Sequence, residues 1–161
     1  MSLVVYVGDS SDVIKRIRTN HCSGNVEGSA FRKHVAAGMG FGISRTKRSS
    51  GSTRVRLDLD DPSAGERTIT KYVRSGFWKV MICDSYEEAH DFQWYAIQKL
   101  DPPLNKDVQP YDQAREERYT KILRQLVDSD PIPFDELSSV PTGPGVYVFH
   151  HDELPAHCTR N

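Results

Sequence analysis

The chain has 161 residues, 37% of them apolar and 27% charged, with a formal net charge of −1. That length fits one domain with a real hydrophobic core, and a charge so near zero argues against a protein that merely coats nucleic acid. No apolar run approaches a membrane span, and Met1-Ser2-Leu3 leads straight into a strand rather than a signal peptide. Cys22, Cys83 and Cys158 share no metal-type spacing, which points to a reducing, cytoplasmic (nucleoid-associated) setting.

Leu3–Val7 reads as a strand buried on both sides, ending at Gly8. Ser10 or Ser11 caps a basic helix that buries Val13, Ile14 and Ile17 and leaves Lys15, Arg16 and Arg18 near its rim. His21–Asn25 is a loop, and Ser29 caps a second helix through Phe31, Val35, Ala36 and Met39. Ser44–Arg54 reads as a flexible basic loop, followed by a short strand at Val55 and Leu57. Ser63-Ala64-Gly65-Glu66 has capping-box form and opens a helix that stops near Gly76. Phe77–Cys83 is a strand. Ser85-Tyr86-Glu87-Glu88 opens an amphipathic helix that Asp101-Pro102-Pro103 ends. A further helix spans about Gln113–Val127, Asp130-Pro131-Ile132-Pro133 breaks it, and Gly145–Phe149 is a clear strand. No internal repeat or second domain stands out. One domain over 1–161 is expected, with a core of 3–105 plus 145–150, an extra helix at 110–128 and a linker at 129–144.

Charge is unevenly spread. Ile14–Arg74 carries 13 Lys/Arg against 5 Asp/Glu, and Asp84–Glu153 carries 6 against 15, so a basic face for a polyanion and an acidic remainder are expected. Arg45, Lys47, Arg48 and Arg54 sit in a stretch without a large apolar residue, and a phosphate-contacting loop is preferred over a solvated hairpin tip. Arg32, Lys33 and His34 are either the solvated side of a helix or phosphate-facing. His150, His151, His157 and Cys158 read as polar residues of a terminal loop rather than metal ligands.

Tyr6-Val7-Gly8, with Arg16 eight positions beyond the glycine, resembles the second half of the GIY-YIG nuclease signature. Gly145-Val146-Tyr147 resembles the first half, and Pro102-Pro103-Leu104-Asn105 resembles the family's closing Pro-x-x-Asn element. The resemblance implies an α/β (α+β) fold: a small central antiparallel sheet flanked by helices. The halves stand in the wrong order. A circular permutation restores it, with both termini in the hairpin loop; a strand swapped between two copies of a homodimer is the alternative. A truncated second copy beginning at Gly145 would leave the first sheet without a partner strand.

The resemblance also implies a DNA endonuclease dependent on Mg2+ or Mn2+. Tyr6 or Tyr147 would assist removal of a proton from water, Arg16 would hold the scissile phosphate, His21 could assist proton transfer, and Asn105 would tie loop backbone near the site. Gln93 stands where the family carries its metal-binding Glu, nine residues before the Pro. A neutral amide is a poor ligand for a hard cation, whether Gln93 is native or introduced, and Glu88 is rotated too far round the helix to replace it. Taken singly, each tyrosine reads as a core residue, Arg16 as a surface arginine and His21 as a loop residue. The coincidence of Tyr6, Arg16, Asn105 and Tyr147 in one restored pattern favours the site. An endonuclease, a DNA-binding module that no longer cuts and an interaction domain unrelated to nucleic acid remain the three readings.

Overall fold

The structure, a computed structural model, describes residues 2–158. Its central sheet has the order β1-β6-β4-β5, from β1 (Leu3–Ser10), β4 (Phe77–Ile82), β5 (Ile132–Pro133) and β6 (Gly145–His151), all antiparallel to their neighbours. The expected α/β fold with a small antiparallel sheet between helices is therefore present. β6 lies in the middle, which explains its unbroken apolar sequence: every residue from Gly145 to His150 is buried. Its partner on one side is the chain's own β1, so no strand from a second copy is needed to complete the sheet.

Helices cover both faces. On one, Val5, Trp78, Tyr147 and Phe149 pack with α1 (Val13–Lys15), α2 (Ala30–Gly38) and α3 (Pro62–Ser75) through Val13, Phe31, Val35, Ile69 and Val73. On the other, Val7, Val146 and Val148 pack with α4 (Tyr86–Leu100) and α5 (Glu116–Asp128) through Ala89, Phe92, Ala96, Tyr119 and Leu126. No described helix is long and apolar enough to cross a membrane.

Several expectations need correction. The basic loop is mostly a hairpin, β2 (Ile43–Lys47) paired with β3 (Thr53–Leu57), because backbone pairing and Glu27 compensate for its lack of apolar residues. Glu27 accepts from Arg48 at 2.8 Å and from the Val55 amide at 3.1 Å. α3 starts at Asp61-Pro62 rather than Ser63, since Asp61 caps the Ala64 amide and proline suits the first turn. The 129–144 linker is ordered: β5 closes the sheet edge, the 3-10 turn Phe134–Ser139 buries Leu137, and Gly143 and Thr142 accept from the first amides of α1.

Candidate active site

β1 does not alternate cleanly. A bulge between Val4 and Tyr6 shifts its register on β6, so Val5 and Tyr6 both turn to the α1–α2 side while Val7 faces α4. The bulge thereby brings Tyr6 to the face that carries Tyr147. The two rings stand 6.5 Å apart, with Tyr6 also 4.7 Å from Phe31.

Both signature glycines have a steric reason. Gly8 lies directly opposite Tyr147, and a Cβ there would run into the phenol hydroxyl and ring. A Cβ on Gly145 would strike the Met81 carbonyl on β4. Close approach, not backbone dihedral freedom, calls for glycine at both positions.

Arg16 and His21 come from one helix by an irregularity that the sequence does not announce. After α1 the winding loosens into a π-helix, Arg16–His21, with the Cys22 amide donating to the Ile17 carbonyl at 2.8 Å. In π winding, residues five apart stack on one side, whereas in an α-helix they diverge. Arg16 and His21 therefore both act on Tyr147: His21 Nε2 is 2.5 Å from the phenol oxygen, and the Arg16 guanidinium partly offsets the rise that burial imposes on the phenol's pKa. Arg16 donates to the Gly28 carbonyl at 3.3 Å and makes no ion pair among the described residues.

Burial governs the titration of these groups. It pushes Tyr6 up to about 12 and Tyr147 well above the usual phenol value, with Arg16 partly opposing both. His21 is 1% exposed, and burial, Arg16 and Arg32 hold its pKa well below the ordinary range, so the imidazole is neutral. Around it, Trp78 lies parallel at 6.2 Å and Phe31 edge-on at 5.3 Å.

Asn105 clamps the free edge of β1. Its side chain accepts from the Val7 amide at 2.8 Å and donates to the Val7 carbonyl at 2.9 Å, while the Leu104 amide donates to Val5. One amide side chain thus imitates a neighbouring strand where Tyr6 and Gly8 flank Val7. Gln93 sits on α4, 8% exposed, with no side-chain hydrogen bond among the described residues. One turn earlier His90 binds Asp9 at 2.7 Å, so the carboxylate that follows Gly8 is already paired. Glu88 is engaged by Arg118 at 2.8 Å.

The basic residues divide. Lys15 and Arg18 are exposed on the first helix and line a cleft with Asp12, Thr19, Phe134 and Thr142. On the hairpin Arg45 and Lys47 point to one face, and Arg54 with Arg56 to the other. Arg48 is tied to Glu27, and Lys33 is half-buried. Arg32 overturns the expectation of a phosphate-facing residue: it is fully buried, paired with Glu66 at 2.6 Å and bonded to the His21 carbonyl at 2.9 Å. Its charge serves the interior because Glu66 and two carbonyls replace its water shell. Sequence reasoning missed Ser29 as a partner of His21 and Arg56 as part of the basic hairpin. The alternation of Arg54 and Arg56 with Val55 and Leu57 carried the signal for the second.

Among the described residues no three His, Cys, Asp or Glu side chains gather as a metal site. A comparison with family profiles matches the GIY-YIG catalytic domain over residues 1–126. Neither curated proteins nor solved structures gave a match. The profile covers β1 through most of α5, with Tyr6, Arg16, His21, Gln93 and Asn105 inside it and β6 outside. With that match and this sheet, the chain belongs to the GIY-YIG catalytic domain family, a nuclease-type fold.

Proposed function

We propose that this domain grips a DNA phosphodiester between the Arg16 guanidinium and the phenols of Tyr6 and Tyr147, in a GIY-YIG fold whose halves are circularly permuted. The observation that carries it is that Tyr6 and Tyr147 stand on adjacent strands beside a guanidinium that makes no ion pair among the described residues. The permutation is supported at the far end of the same pairing: Leu3 lies opposite His151, so β6 ends where β1 begins. A short connection there would recreate the family's hairpin.

Arg16 suits a phosphate because it carries no carboxylate partner among the described residues and has a carbonyl to hold one end. Tyr6 and Tyr147 are protonated at rest, so both phenols can donate to phosphate oxygens, and His21 supports Tyr147 from behind. Asn105 keeps β1 in register at the site. Lys15, Arg18 and the hairpin cations Arg45, Lys47 and Arg54 would draw the remaining backbone.

In the family's chemistry Mg2+ or Mn2+ offsets charge on the leaving oxygen. The donor set here does not fit such an ion: position 93 offers a neutral amide, and Asp9 is bound to His90. A DNA-binding domain that handles the phosphate without cutting it is thus the function these residues support best. The complete set of phenols, guanidinium, imidazole and Asn105 favours a second reading, a metal-dependent endonuclease limited only by Gln93.

Plasmid nicking with Mg2+ or Mn2+, run on this chain and on Gln93→Glu, separates them. Silence from both chains supports the first. Cutting that appears with Gln93→Glu and is abolished by Arg16→Ala supports the second, and cutting by the unaltered chain overturns the first. Affinity for duplex DNA that does not fall with rising salt sinks both.

A further inference from the structure

Ser29 does two jobs with one hydroxyl. As the N-cap of α2 it accepts from the Arg32 amide at 3.1 Å, and its Oγ also lies 2.7 Å from His21 Nδ1. It is 1% exposed, and these are its only side-chain partners among the described residues. A backbone amide can only donate. A serine hydroxyl has a single proton of its own, so that proton either goes to His21 Nδ1 or stays buried without an acceptor. An unmatched buried donor is the costlier arrangement.

We infer that Ser29 is a positioning residue: by donating to Nδ1 it holds His21 as the Nε2–H tautomer, which donates to the Tyr147 oxygen and turns the phenol proton away from the imidazole, to the side where Tyr6 lies. The imidazole is neutral, so only one ring nitrogen carries hydrogen and the choice is binary. The opposite tautomer would have Tyr147 donate to Nε2 and His21 donate to Ser29, stranding the serine proton. Arg32 braces the arrangement from its other end by holding the His21 carbonyl at 2.9 Å, and Trp78 stacks along the ring.

The direction of this relay decides what Tyr147 offers. With Nε2–H behind it, the phenol presents its proton outward, as a donor to a phosphate oxygen. Should it lose that proton, the phenolate keeps two donors, His21 and Arg16. The use of that proton on phosphate rests on the DNA reading above; the tautomer does not.

Long-range 1H–15N spectra of the full chain, labelled on histidine nitrogen, read the tautomer directly, with His21→Gln identifying the signal. An Nε2–H form in excess by about tenfold or more at neutral pH is expected from the penalty on the stranded donor. Ser29→Ala should cut that excess several-fold, and Ser29→Asn, whose oxygen can cap while its amide donates, should bring it back. A His21 carrying hydrogen on Nδ1, or a ratio that Ser29→Ala leaves unmoved, overturns the inference. Loss of DNA binding in Tyr147→Phe, measured separately, bears on the phosphate reading and leaves the tautomer result standing.

Discussion

At the scale of single residues, close contacts decide which side chains are interchangeable. Gly8 is required by the phenol lying across it. Gly8→Ala should cost about 1–3 kcal/mol, as overpacking of a filled core does, and displace Tyr147 from His21. Urea unfolding checks the cost; the His21 ring signal checks the displacement, and a variant as stable as the parent would refute the contact. Arg32 presents the opposite case, a buried charge that depends on its partner. Glu66→Ala should destabilise by about 3 kcal/mol, because the guanidinium stays inside without its carboxylate. Arg32 was legible as a cation on a helix but not as an interior one, since burial is set by what α3 brings against α2.

At the scale of elements, three irregular features build the site: a bulge, a π-helix and an amide clamp. The first two exist to change the phase of side chains. Without the bulge Tyr6 would turn toward α4, and without π winding Arg16 and His21 would diverge. The clamp makes an element out of one residue. Asn105→Ala should expose two backbone groups of Val7 and cost about 1–3 kcal/mol, with faster hydrogen exchange at the Val7 and Leu104 amides. Unchanged exchange at Val7 would show that the clamp does not hold the edge. On the basic hairpin, period-two alternation sends its cations to both faces, so a single DNA backbone engages only one pair. Arg54→Ala and Arg45→Ala should therefore differ: the variant on the engaged face lowers the salt slope by about one, and the other leaves it alone.

At the scale of the whole molecule, the three-layer packing makes folding sensitive to acid. Burial and nearby Lys79 push His150 down to about 4, and His21 is held well below its usual range. Unfolded histidine takes up its proton near about 6.5. Both depressed groups thus favour the fold fully above about 6.5, and that contribution drains away as pH falls toward the folded-state values. Urea midpoints should drop between about pH 7 and about pH 5, and His150→Gln should shallow the drop. A midpoint flat across that range would mean that these rings are not neutral in the fold.

By itself the sequence determined the strands β1, β4 and β6, the longer helices and the helix caps at Ser29 and Ser85, and it singled out Tyr6, Arg16, Asn105 and Tyr147 as candidates, because caps and apolar periodicity are local and the signature spacing can be read in either order of its halves. It also exposed Gln93 as the wrong chemistry for a hard cation. Only the tertiary structure decided that β6 pairs with β1 in one chain, that the linker is an ordered edge, and that Ser29 and Trp78 surround His21. Those are contacts between segments far apart in the chain, and no local propensity encodes which of two buried faces a strand, a bulge or a histidine will meet.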